Sequence, residues 1–261
     1  MKNFVFMAGL PRSGSTLLAN ALNQNLDFHV SPTSGIIDVV TAARQAWDQN
    51  PCFLANPDDE KKLGALRGII EGAYSHREES FIFDRSRGWP HYFELLEEAF
   101  PNTKMIFCVR DIKQIIASWE LLWRQNYLRH DNMTDEHRAQ CATRRGRIHY
   151  QLRFDQPTGI AMSWMQDLFA RGHGDKVHIV DYDRFTKNPQ SELDLIHDYI
   201  GSPRFDYPVP YVMQTIFEND YYHGSAGLHD IGEKIEHRVF PVDDILGDDQ
   251  NVLEGLNFWE N

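Results

Sequence analysis

The sequence predicts an α/β protein in three layers, α/β/α, with helices on both faces of a central parallel sheet. Three observations predict it: short apolar runs bounded by turn residues, helical periodicity in the stretches between them, and the alternation of the two along the chain. With 261 residues, 42% apolar and 25% charged, the chain has the size and composition of one globular domain with a full core. No linker composition divides it, so residues 1–261 read as a single domain.

The elements follow in order. Asn3 to Ala8 is a short apolar run closed by Gly9 and Pro11, which suits a central parallel strand buried on both faces. From Gly14 the run Ser-Thr-Leu-Leu-Ala-Asn-Ala-Leu reads as a helix. Phe81 to Asp84 is a second strand, followed by a helical segment around Tyr92 to Phe100 that Pro101-Asn102 ends. Lys104 to Arg110 is the clearest strand. After it Ile112, Ile115, Ile116, Trp119, Leu122 and Trp123 recur at helical spacing, a core stripe in which the two tryptophans are expected to be buried. Val177 to Tyr182 is a further strand, and Pro189 opens a helix over 190–200. The segment 124–153 breaks this rhythm, with seven arginines against Asp131, Asp135 and Glu136. It reads as a helical insertion or lid over the ligand edge of the sheet, or equally as a solvated surface helix pair. Beyond Gly201 the chain reads as loop with short helices.

Composition narrows the partners. A net charge of −12 disfavours a nucleic-acid binder or a coat for anionic membranes, while leaving room for a local basic pocket. Cys52, Cys108 and Cys141 are scattered and odd in number, so neither a disulfide framework nor a metal-ligand spacing is present and a reducing, cytoplasmic setting is expected. The first apolar run meets Pro11-Arg12 without a small-residue cleavage site and reads as a strand rather than a signal peptide. No run approaches the roughly 20 apolar residues of a membrane span.

Gly9-Leu10-Pro11-Arg12-Ser13-Gly14-Ser15-Thr16 follows the phosphate-loop pattern with Ser15 where a lysine should stand. That lysine reaches the β/γ-phosphates of a nucleoside triphosphate, so its loss argues against triphosphate chemistry. The anion-binding parts remain. Loop amides and the first-turn N–H groups of the following helix carry partial positive charge. Ser13, Ser15 and Thr16 add hydroxyls, and Arg12 adds a forked cation able to bind two oxygens. A second constellation sits at the end of the third strand, where Arg110 would project into the crevice at which parallel sheets bind ligands. Ser118 lies eight residues on, about two helical turns into the next helix. Taken singly, Arg110 and Asp111 also fit a strand-end ion pair.

Together these segments resemble the sulfotransferases that use 3′-phosphoadenosine 5′-phosphosulfate (PAPS). Pro11 to Leu18 resembles their 5′-phosphosulfate loop, Val109 to Ser118 their 3′-phosphate motif, and Val180-Asp181-Tyr182 with Lys187-Asn188-Pro189 the segment whose tyrosine lies by the adenosine. The matches run in family order over about residues 3–200. The resemblance implies a P-loop-like phosphosulfate loop and an in-line sulfuryl transfer from PAPS, leaving 3′,5′-diphosphoadenosine and needing no metal. It gives Arg12 the neutralisation of the leaving phosphate oxygen, the loop from Arg12 to Thr16 the phosphosulfate, Arg110 and Ser118 the 3′-phosphate, and Tyr182 the adenosine.

The sequence departs from the family at the acceptor base. Many members carry Lys-Thr-His after the second motif strand; here Asp84 to His91 fills that region and Arg87 falls where the histidine would be. Arginine is a very poor base, so Asp84 becomes the first candidate base and His91 the second, with Arg85 in the lysine's place against the transferring sulfuryl. Asp84 also fits a carboxylate that only orients Arg12 or Arg85. The C-terminal basic motif is not recognisable; Lys234, His237 and Arg238 are its candidate substitutes. Phe28, Trp47, Trp89 and Tyr92 are candidates for the acceptor wall, and the histidines, His223 and His229 among them, show no ligand spacing. The expectation is a sulfotransferase acting on a hydroxyl of a small or medium acceptor, a glycoside among the possibilities, with oligomeric state open. The alternatives are a P-loop nucleotide kinase or NTPase, for which Asp84 would hold Mg²⁺, and a non-catalytic nucleotide-binding protein.

Overall fold

A computed structural model describes residues 2–126, 133–223 and 227–260. In chain order the elements are β1 (Asn3–Gly9), α1 (Ser15–Leu22), β2 (Phe28–Thr33), α2 (Ile36–Gln49), α3 (Pro51–Ala55), α4 (Asp59–Ala73), β3 (Phe81–Arg85), α5 (Phe93–Ala99), β4 (Lys104–Val109), α6 (Ile112–Asn126), α7 (Asp135–Gln140), α8 (Arg144–Gln151), α9 (Pro157–Ala170), β5 (Val177–Asp181), α10 (Tyr182–Lys187), α11 (Pro189–Ile200) and α12 (Val242–Leu246). The five strands form one parallel sheet in the order β2-β3-β1-β4-β5.

Strand alternation divides the core into two layers of helices. Phe4, Phe6 and Ala8 of β1, with Met105, Phe107 and Val109 of β4, face α2, α4, α5, α6 and α9 through Val40, Ile70, Leu96, Ile115 and Met165. Val5, Met7, Ile106 and Cys108 face the other way, against Leu18 and Leu22 of α1 and Leu193 and Ile196 of α11. With both faces covered, β1 and β4 carry apolar side chains at nearly every position, as parallel strands must.

This order places the site. The chain leaves β1 and builds β2 and β3 on one side, then β4 and β5 on the other, so the connections after β1 and β4 diverge at their carboxyl ends. Ligands bind in the crevice that such a switch point opens.

The expected strands and helices are all present. Three features differ from the sequence reading. β2 was not foreseen, because it is an edge strand holding Pro32, which cannot donate to a ladder; its pairing with β3 shifts between Val30 and Thr33. α2 to α4 fill residues to which no element had been assigned, and so does α9. In the segment 124–153, Arg129 and Asp131 lie outside the described residues. The rest holds α7 and α8, and none of its described residues reaches the cleft set out below. Its arginines are tied elsewhere: Arg124 and Arg147 to the buried Glu120, Arg144 to Asp249, Arg153 to Asp155.

Candidate active site

A cleft of about 930 Å³ opens where β1, β3, β4 and β5 end, lined by residues from all four connections. Its floor is the loop after β1. Leu10 N–H is fixed by the Cys108 carbonyl at 2.9 Å. Arg12 then adopts φ 62°, in the left-handed region, a conformation that costs a side-chain-bearing residue about 1–2 kcal/mol and that gathers at functional sites. Gly14 follows at φ 81° as N-cap of α1 and makes no side-chain cap, leaving first-turn amides open to an anion. A Cβ at Gly14 would stand 2.7 Å from the Tyr182 ring, so glycine lets the loop touch the first residue of α10.

The two anion sites expected from the sequence meet. Arg12 Nε donates to Ser118 Oγ at 3.1 Å and an Arg12 Nη to the Leu228 carbonyl at 2.9 Å. Arg110 reaches the Arg12 carbonyl at 3.4 Å and the Arg238 carbonyl at 2.5 Å. Its guanidinium lies 3.9 Å over the Tyr182 ring and 5.1 Å from that of Phe240. Arg110 is 5% exposed, yet its Nε has no hydrogen-bond partner among the described residues. Burial pulls both guanidinium pKa values down, and for Arg12 the nearby Arg110 charge adds to this. Two desolvated cations this close are a built site for anions. Arg85, also buried, donates to Thr16 Oγ1 at 3.3 Å and pairs with Glu218 at 3.6 Å, which places it beside the loop.

Some candidates fall elsewhere. Ser13 turns its hydroxyl inward to the Leu10 carbonyl at 2.6 Å and shapes the loop instead of facing the cleft. Asp84 is fully buried and does not line the cleft. It accepts from Tyr74 Oη at 2.5 Å, Trp89 Nε1 at 2.7 Å and Ser34 Oγ at 2.8 Å, so it touches neither Arg12 nor Arg85. Burial pushes its pKa up while these three donors pull it back. The first-choice base is therefore corrected to a structural carboxylate. Asp84→Ala strands two buried donors and the half-buried Ser34 hydroxyl, and chemical denaturation is expected to record a loss of about 3 kcal/mol or more. The nucleotide site should survive below the lowered unfolding temperature.

Of the aromatics proposed for the acceptor wall only Tyr92 lines the cleft. Phe28 and Trp89 are core residues and Trp47 stacks on Phe53. Trp119, expected in the core, does pack there but also lines the cleft, donating to Thr158 at 3.2 Å. Lys234 and Arg238 line the cleft; His237 instead meets Thr186 at 3.0 Å.

The residues that sequence reasoning missed lie in the loop after α11. His229 Nδ1 meets Asp220 Oδ1 at 2.5 Å, and the other Asp220 oxygen accepts the Leu228 and His229 amides. His229 Nε2 lies 3.6 Å and His223 Nε2 3.1 Å from Glu218 Oε2. Both histidines line the cleft, beside the Leu228 carbonyl that holds Arg12. Arg87 and His91 line it as well; the His91 ring packs against Tyr92 and Trp164.

A phosphate-type loop, two desolvated arginines and a carboxylate-held histidine share one cleft. Comparison gives the family. The model of the sulfotransferase family matches residues 5–206, and the chain belongs to that family. Among solved structures it is similar to the sulfotransferase domain from the curacin biosynthetic pathway, at 17% identity with a TM-score of 0.55, covering 97% of this chain and 98% of that one. It is also similar to the sulfotransferase domain from the Synechococcus PCC 7002 olefin synthase, at 19% identity with a TM-score of 0.51, covering 100% and 96%. No curated protein matches the sequence. No helix among the described residues is long and apolar enough to cross a membrane.

Proposed function

We propose that this sulfotransferase takes its sulfuryl group from PAPS and delivers it to a hydroxyl of a small or medium acceptor, in the cytoplasm. One observation carries the choice of donor: Arg12, in the 5′-type loop, and Ser118, in the 3′-type motif, stand 3.1 Å apart in a single cleft. A nucleotide with phosphates at both ends fits that arrangement. The unpartnered Nε of the buried Arg110 supplies a donor for such an anion, and the Tyr182 ring beneath it offers a face for a base.

When bound, PAPS supplies an activated sulfur whose leaving phosphate oxygen gains negative charge as the bond breaks. Arg12 and the α1 amides are placed to stabilise that charge, a contribution that grows in a water-poor cleft. Arg85, beside Thr16, steadies the sulfuryl side. Arg110 and Ser118 fix the other end and so the orientation. His229 takes the acceptor's proton. Its Nδ1–H, given to Asp220, leaves Nε2 as the accepting nitrogen, with Glu218 3.6 Å away. Ile37, Tyr92, Trp119, Phe154, Ile160 and Trp164 line the remaining wall and suit an acceptor with an apolar body.

The kinase or NTPase alternative loses its magnesium ligand, because Asp84 is sealed from the cleft by three protein donors. Transfer of radiolabelled sulfate from PAPS to a panel of phenols, sterols and glycosides tests the proposal. Sulfated product is expected; tight nucleotide binding with no product on any acceptor favours a non-catalytic binder. His229→Ala is expected to lower kcat by about 10²–10⁴-fold with affinity for 3′,5′-diphosphoadenosine retained. His91→Ala should stay near wild type.

A further inference from the structure

We infer that Glu218, His223 and His229 form a site for a single Zn²⁺ ion, open to the cleft, and that the ion inhibits the enzyme. Their ligand atoms, Glu218 Oε2, His223 Nε2 and His229 Nε2, lie within 4.8 Å of one another. A tetrahedral zinc ion with bonds of about 2.0–2.1 Å separates its nitrogen and oxygen ligands by about 3.3 Å. The two carboxylate–imidazole edges, 3.1 and 3.6 Å, straddle that value; the edge between the two imidazoles, within 4.8 Å, closes to it by side-chain rotation of the exposed His223.

The surroundings hold the ligands in the right state. Asp220 occupies Nδ1 of His229, the carboxylate–histidine arrangement that fixes the tautomer and presents Nε2 to a metal. Glu218 is buried, and its Oε1 is taken by the Thr33 amide at 3.0 Å and by Arg85, which leaves Oε2 for the ion. Glu218 offsets the charges of Arg85 and Arg87, and Asp220 that of Arg12. Three protein ligands with a fourth position facing a cleft is the open form of zinc site. The two imidazoles favour a late first-row ion such as Zn²⁺ over Mg²⁺ or Ca²⁺, which prefer oxygen ligands.

The inhibition rests on reading His229 as the base. An ion bound at Nε2 occupies the lone pair that would accept the acceptor's proton, so zinc and turnover exclude each other. Zinc is here an inhibitor and takes no part in the transfer.

The test is a zinc titration of the tag-free, chelator-stripped full chain against a chromophoric chelator, with turnover measured in parallel. One ion per chain is expected. His223→Ala and Glu218→Gln should each weaken binding at least tenfold, the loss that removal of even an outer-shell partner produces. Zinc should inhibit the wild type over the range that fills the site, and a chelator should reverse it; His223→Ala should keep its metal-free activity and resist the ion. No stoichiometric binding, or equal binding by both variants, overturns the site. Binding with the expected variant pattern but without inhibition upholds the site and overturns His229 as base.

Discussion

Arg12→Ala is expected to lower kcat for sulfuryl transfer by about 10²–10³-fold, the usual cost of removing one donor aimed at developing charge. Affinity for 3′,5′-diphosphoadenosine should change little, because the α1 amides, Arg110 and Ser118 still hold the product. The physical reason lies in where Arg12 sits. Its left-handed backbone lifts the side chain over the loop, and its Nε and one Nη meet Ser118 and the Leu228 carbonyl. The remaining donors are free for an anion. Arg12→Lys keeps the cation and should recover part of the rate, while losing the fork that grips two oxygens at once. Steady-state kinetics beside a direct nucleotide titration checks both halves; full activity in Arg12→Ala contradicts the role.

Arg110→Ala should act on the other half of the ligand. Truncating one member of a buried, hydrogen-bonded charge pair costs about 2–5 kcal/mol, so affinity for 3′,5′-diphosphoadenosine should fall by about 30-fold or more. Affinity for 5′-AMP, which lacks the 3′-phosphate, should stay within a small factor of wild type and serves as the folding control. Equal losses for the two ligands would place Arg110 in general stacking against Tyr182 rather than in 3′-phosphate recognition. Calorimetric titration of both ligands against both proteins gives the comparison.

Much of the fold was legible because its signals are local. β1 and β4 read as parallel strands because both faces are covered, so their residues are apolar without alternation. α6 was legible from the spacing of Ile112, Ile115 and Ile116. β2 was hidden by Pro32, tolerable only because the strand lies at the sheet's edge. α9 carries Ala161, Met165 and Leu168 at helical spacing, but Thr158 and Gly159 interrupt its apolar stripe.

The site divides the same way. Arg12 to Thr16 and Arg110 to Ser118 lie on contiguous motifs, so backbone geometry and residue type arrive together. Asp84 shows the limit. Its place at a strand end was legible, but successive side chains on a strand face opposite ways. Asp84 points into the layer of Tyr74 and Trp89, while Arg85 one residue on reaches the loop. Glu218, Asp220 and His229 were beyond reach, since they lie in a segment with no periodicity and become neighbours only through tertiary packing. The same loop supplies the Leu228 carbonyl to Arg12, so the proposed base and the cation are positioned by one stretch of chain.

The account stands on a single nucleotide being held by both of its phosphates. Its most direct test is the affinity of the wild-type chain for 3′,5′-diphosphoadenosine set against 5′-AMP and ATP with Mg²⁺, measured in one buffer. The bisphosphate is expected to bind at least about 10²-fold more tightly than 5′-AMP and more tightly than ATP with Mg²⁺. Equal affinity for the bisphosphate and 5′-AMP, or a preference for ATP with Mg²⁺, would contradict it.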